Sequence, residues 1–235
     1  MKRFYSQATV IAEDGGWAIR LDDRPVRTPS RAPLLLPSVA LGDAVAAEWN
    51  AQGETLDPRT MPFTGFSNAA IDQIAPDKDS FAAGLARYGE SDLLCYRADG
   101  PTELILRQEM AWDPLLDWAR SRYDITLHQT AGIIHVAQPA ETLERLGGAV
   151  SALDVYTLAG FSALVTLSGS LLCALAVIEQ FATPEQVWET AELDEIWQIE
   201  QWGDDTEAAA RRASRAAEFL VAAAFCRLSY SASRA

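Results

Sequence analysis

Histidine and cysteine are scarce in this chain: two histidines and three cysteines in 235 residues. His128 and His135 flank a short turn-like stretch, and no cysteine or carboxylate completes a familiar ligand spacing around them. They could share a metal across a hairpin or be ordinary structural histidines; no metal centre is expected. Cys95, Cys173 and Cys226 are odd in number, far apart and set in apolar surroundings. That excludes a disulfide framework and reads as small buried hydrophobes in a reducing compartment. Nucleotide motifs are missing as well. No glycine-rich loop ends in Lys-Ser or Lys-Thr, and no GxGxxG follows a strand. The nearest approach to Gly-x-Ser-x-Gly, Leu167–Ser168–Gly169–Ser170, sits in an apolar helical run and not on a strand-to-helix elbow. Neither a nucleotide cofactor nor a serine hydrolase site is expected.

Positive charge is also short. The chain carries 33 acids against 19 bases, a formal net charge of −14. Such a surface repels phosphate backbones and anionic lipid, so nucleic acid is excluded as a partner and a basic or mixed protein surface is favoured. One stretch, residues 155–178, has no charge and is long enough to span a bilayer. It contains Thr157, Ser162, Thr166, Ser168, Gly169 and Ser170, which reads as two buried helices meeting near Ser168–Ser170, with no membrane insertion. The first six residues run from two bases into polar, strand-like sequence, without the apolar core of a signal peptide or the texture of a transit peptide.

An apolar content of 49% is ample for a core, in one large domain or two smaller ones. The first third alternates. Trp17, Ile19 and Leu21 project to one side of a strand, with Ala18 and Arg20 on the other. Strands are also expected at Ala8–Ala12, Arg24–Pro29 and Leu34–Leu36, with turns at Asp14–Gly16 and Asp22–Asp23. Pro37–Ser38 opens a helix that Gly53 stops. After Pro58 the pattern becomes helical: a Phe63, Phe66, Ala70, Ile74 stripe, a helix over Asp79–Tyr88, and another from Thr102 to Ala111. A kink or break is expected where Asp113–Pro114 reads as a fresh N-cap and first residue. Leu93–Tyr96 reads as a strand or an extended link, and Ile125–Leu127 with Ile133–Val136 as a hairpin across Thr130–Gly132. From Ala140 the chain is helical, with a capping box over Thr183–Gln186 and a last helix over residues 204–228. The expected fold is α+β: a small N-terminal antiparallel β-rich domain with one helix over residues 1–57, then a larger mainly α-helical domain over 58–235.

The chemistry is concentrated near Glu192–Gly203. Leu193, Ile196, Trp197 and Glu200 share one helical face, so a carboxylate lies in line with an apolar stripe. Burying it unpaired would be costly. Glu200 is therefore either a helix edge that reaches water or an arginine, or part of a site. Glu48 repeats the pattern, in register with Leu41, Val45 and Gln52. Glu48, Asp72, Asp113 and Glu200 could converge as an acid–base pair, although 33 scattered acids supply such candidates by chance. Seven tryptophans are many, and at least half of the six in helical context are expected in the core. The rest suit a binding face of aromatic anchors ringed by polar groups.

Six blocks carry a resemblance. They are Arg24–Pro29; Ala46–Trp49 with Gln52; Met61–Thr64 with Asn68–Asp72; Glu90–Arg97; Gln108 with Trp112–Leu116; and Gln198–Gly203. Each is weak alone, but their order across almost the whole chain is specific. The chain resembles the assembly chaperones of the F-type ATP synthase that handle the α subunit of the soluble catalytic head. The resemblance implies a β-rich N-terminal domain, a helical C-terminal domain, no enzymatic activity and no cofactor. It implies that the chain binds the unassembled α subunit and prevents its aggregation until the β subunit replaces it. The residues expected to border the partner are Glu48, Trp49, Gln52, Asp72, Trp112, Gln198, Glu200 and Trp202. A cytoplasmic bacterial monomer is expected, with eukaryotic relatives in the mitochondrial matrix. The alternative class is a small-molecule enzyme using paired carboxylates around Glu200.

Overall fold

The computed structural model describes residues 1–230. They form two compact units. The first comprises Met1–Lys78, Asp154–Gly160 and residues 224–230; the second comprises Asp79–Leu153 and Phe161–Ala223. The position expected to end the N-terminal domain, residue 57, lies inside the first unit.

In the first unit, β1 (Ala8–Glu13) and β2 (Gly16–Leu21) form an antiparallel hairpin, paired from Ala8↔Leu21 to Glu13↔Gly16. Gly15, at φ +90°, takes the left-handed turn that other residues resist. Two short strands, β3 (Arg24–Pro25) and β4 (Leu35–Leu36), also pair with β2. Ile19 and Leu21 are buried as the alternation requires, and Ala18 is buried on the opposite face. Helix α1 (Val39–Asn50) starts at Ser38, whose hydroxyl accepts the Leu41 N–H at 3.1 Å. Gly42 lets α1 lie directly on the sheet, because a Cβ there would stand 2.7 Å from Val10 Cγ1. At its far end, Asn50 accepts the Ala8 N–H at 2.8 Å and donates to the Ala8 carbonyl at 2.9 Å. Helix α2 (Pro62–Ala69) runs on through one wide π turn, Ala70–Ile74. Its stripe is the expected one: Ala70 and Ile74 are buried, and Phe63 and Phe66 stack on Phe225 at 6.2 and 5.1 Å.

The second unit is almost wholly helical. In chain order its elements are α3 (Lys78–Ala86), β5 (Tyr96–Arg97), α4 (Thr102–Tyr123), β6 (Thr130–Ala131), α5 (Ala140–Ser151), α6 (Val155–Ser168), α7 (Leu171–Ile178), α8 (Pro184–Ala191), α9 (Leu193–Trp202) and α10 (Thr206–Ser229). Helices α6 and α10 each contribute one end to the first unit. The uncharged run resolves into α6 and α7. Gly169 at φ +68° ends the first, and Ser170 caps the second by accepting the Cys173 N–H at 3.0 Å. Leu171–Val177 are all buried, and no helix among the described residues is long and apolar enough to cross a membrane. Asp92 locks the start of α7. Its carboxylate accepts the Ser170 hydroxyl at 2.7 Å and the N–H groups of Leu172 and Leu94 at 3.0 and 3.1 Å. The Thr183 capping box forms in full.

One expectation fails and another is narrowed. Helix α4 runs unbroken through Pro114. A mid-helix proline costs roughly 3 kcal/mol, but Trp112, Leu115, Leu116 and Ala119 anchor both sides of it in the core, and Asp113 pairs with Arg97 where a new N-cap was expected. The 125–136 hairpin is also absent. Thr130–Ala131 instead pairs in parallel with Tyr96–Arg97, and Ile133 and Ile134 are 99% and 76% exposed. The Gln138 amide takes the missing strand's place, accepting the His128 N–H at 3.0 Å and donating to its carbonyl at 2.8 Å. Leu93–Cys95 forms a single 3-10 turn that leads into β5.

Candidate functional site

The α9 stripe meets α4 as a layered contact. Trp197 is buried, and the Arg107 guanidinium lies 4.7 Å from the centre of its ring. The same arginine donates to Glu200 at 2.6 Å and to Glu103 at 3.3 Å. Glu200 is thus the arginine-paired helix edge that the sequence allowed. The next residue on α4, Gln108, donates to Asp194 at 2.7 Å and accepts the Ala98 N–H at 2.8 Å. Trp112 is fully buried and donates to the Thr190 carbonyl at 2.9 Å. It is an anchor between α4 and α8, and no surface residue. Gln198 is exposed, and Trp202, 75% exposed, ends α9 before Gly203 turns the chain at φ +87°. Its indole stands open to water at the helix terminus.

The other four expected residues belong to the first unit. Glu48 accepts the N–H groups of Phe63 and Thr64 and the Thr64 hydroxyl. Burial pushes its carboxyl above the usual range, against the pull of those hydrogen bonds. Gln52 is buried, donating to the Glu48 carbonyl and Thr60 hydroxyl and accepting the Asp57 N–H at 2.8 Å. Trp49 is half-buried, edge-on to Tyr5, and its indole N–H has no partner. Asp72 accepts the Thr28 hydroxyl at 2.7 Å and the Ser30 N–H at 2.9 Å; partial desolvation is outweighed by those bonds, and its carboxyl titrates below the usual range. The four carboxylates considered as acid–base partners are therefore engaged separately, Asp113 with Arg97 and Glu200 with Arg107.

The histidines are also apart in role. His128 Nδ1 meets the Ala137 carbonyl at 3.1 Å, and His135 Nδ1 meets the Tyr96 hydroxyl at 3.0 Å. No cluster of metal-ligating side chains occurs among the described residues. Cys95, Cys173 and Cys226 are free and buried. Within the second unit an open groove of about 480 Å³ runs between α4 and α8, floored by Leu115 and Val187 and walled by Pro114 and Phe181, with Glu189 as its one carboxylate. Composition and period did not point to Arg107, Asp92 or this groove. Arg107 carries a hint, because it lies four residues after Glu103 on an exposed helix face.

The carboxylates considered as acid–base partners are each engaged with a different partner, and the groove lining holds a single carboxylate, Glu189. Comparison with known proteins shows the family. The model of the ATP12 chaperone protein family matches residues 2–120. The chain belongs to this family. It is similar to Atp12 from Paracoccus denitrificans, whose crystal structure superposes with a TM-score of 0.94 at 43% identity over 97% of this chain and 98% of that one. An aspartate-to-lysine mutant of the Paracoccus Atp12p gives the same TM-score at 42% identity, again over 97% of this chain and 98% of that one. The mitochondrial protein atp12 of Schizosaccharomyces pombe is 25% identical over 214 residues, spanning 86% of this chain and 74% of that protein. The family to which the six sequence blocks pointed is thus shown, and so is the α+β fold.

Proposed function

We propose that this ATP12-family chaperone serves ATP synthase assembly by holding the unassembled α subunit of the catalytic head until the β subunit takes its place. The likeness to Paracoccus Atp12, 43% identical and nearly coextensive, carries the reading; the choice of the α subunit rests on the resemblance of the six blocks. The chain acts by binding alone, as a monomer in the bacterial cytoplasm, with no catalytic residue or cofactor. Gln198, Glu200 and Trp202 offer partner contacts at the end of α9, since all three are exposed. Trp49 offers a half-buried aromatic in the first unit. Glu48, Gln52, Asp72 and Trp112 act on the client indirectly, by fixing the shape of the unit that each belongs to. The tagged chain purified from its own cells should bring down the α subunit, and should suppress light scattering by purified α subunit until β subunit is added. Retrieval of other proteins only, with no effect on α-subunit scattering, would overturn the client assignment.

A further inference from the structure

The second unit holds nearly all of the molecule's net charge. Its sequence contains 22 acidic residues against nine arginines and no lysine. All nine arginines lie within 4.0 Å of a carboxylate of the same unit. The cations are thus committed internally, and the acids left over set the field that a partner meets.

The groove between α4 and α8 lies in that field. Its floor and walls are mostly apolar, with Ala111, Pro114, Leu115, Phe181 and Val187 among them, and Gln186 and Thr190 are the uncharged polar members of the lining. Phe181 is 45% exposed although its ring stacks on Trp118 at 5.0 Å, so an aromatic face is left open over the groove. Glu189 lines the rim and Glu185 stands one turn before it on α8, both exposed. Among the described residues neither has a basic partner. The groove therefore presents a largely apolar trough with the Glu189 carboxylate at its edge and no basic side chain in its lining.

We infer that this groove seats a client segment in which a large apolar side chain is flanked by lysine or arginine. The apolar anchor fills the trough over Leu115 and Val187, and the flanking cation is taken by Glu189 and Glu185. Of the possible occupants, the charge pattern selects a basic-flanked client segment over a second copy of this chain, whose equivalent surface would bring like charges together. The inference rests on the chaperone reading and specifies where and what such a chaperone grips.

Two variants of the full chain test it. Ala111→Trp fills the trough from α4, and Glu189→Lys reverses the rim on an exposed position that the fold does not use. The probes are purified α subunit, followed by light scattering, and fluorescent dodecapeptides carrying a central Phe–Leu flanked by lysine or, as controls, by glutamate. The wild type should bind the lysine-flanked peptides, with affinity falling at high salt. Each variant should weaken that binding about tenfold, an effect of the size expected for losing one interface anchor, while keeping the wild-type melting temperature. Loss of α-subunit protection in both variants supports the inference. Peptide binding lost in the variants by a wild type that ignores the α subunit also supports the groove, and overturns the client instead. Wild-type-like capture of α subunit and peptides by both variants overturns the groove, as does a wild type that binds neither probe. A concentration-dependent dimer abolished by Ala111→Trp overturns it too, by giving the trough to a second copy.

Discussion

Glu48, on α1, caps α2 from outside: its two carboxylate oxygens accept the N–H groups of Phe63 and Thr64 at 2.6 and 2.8 Å. Met61, the residue at the N-cap position of α2, has no side chain able to do this, and makes no such bond. A carboxylate thirteen positions earlier in the chain than Met61 thus stands in for a local cap, and the negative charge meets the positive end of the helix.

Glu48→Ala should therefore destabilise the chain by about 2 kcal/mol, the size of a lost cap plus unsatisfied N–H groups. The urea midpoint should fall with an unchanged slope. A variant as stable as the wild type would mean that water replaces the carboxylate without loss.

Stability should rise on mild acidification. Burial pushes the carboxyls of Asp92, Glu48 and Glu192 above their ordinary range. A raised folded-state value means that the fold binds more protons than the unfolded chain. That contribution is fully present below the unfolded-state value and is lost as pH rises through the folded-state value. The melting temperature should be higher near about pH 5 than near about pH 8. Replacing Asp92 by Asn should lower stability throughout and flatten this dependence; an unaltered slope would remove Asp92 from the explanation.

Glu200→Lys and Trp202→Ala should leave the fold almost untouched. The Arg107–Glu200 pair is about two-fifths exposed on both sides, and exposed pairs are worth roughly 0–1 kcal/mol. Both variants should protect the α subunit from aggregation about tenfold less well, as loss of an interface anchor does. Full protection by both, with unchanged melting curves, would remove the end of α9 from the partner surface.

The thiols should be silent in the native protein. Burial, followed by the nearby Asp92 charge, pushes Cys95 and Cys173 up to about 12, and burial pushes Cys226 higher still. At about pH 8 an aromatic disulfide reagent should titrate no thiol until denaturant is added, and then all three. Rapid native labelling of one thiol would reveal local opening at that cysteine.

Features whose cause lies within a few residues were legible in the sequence: the β1–β2 hairpin, the Ser38 start, the Ser168–Ser170 break and the Thr183 capping box. Where long-range packing decides, local rules misled. Pro114 sits inside α4 because Trp112 and Leu116 hold the helix on both sides, and no window around the proline contains that information. The 125–136 hairpin was read from two apolar runs, but Thr130 is paired with Tyr96, far away in sequence, and Gln138 supplies the bonds that a strand would have made. For the candidate site, periodicity found Glu200 and left open its pairing with an arginine, which proved to be Arg107. It could not tell buried Trp112 from exposed Trp202, since both sit in similar helical surroundings and differ only in what packs above them.

Asn50 closes part of the sheet margin that most invites self-templating. By using its amide as a one-residue surrogate strand against Ala8, it occupies a position that an incoming polypeptide would need. An invading chain must break both bonds before it can add to β1 in register there. If the chain holds an unassembled subunit as proposed, this contact keeps its own sheet margin, at that point, from templating the client's strands.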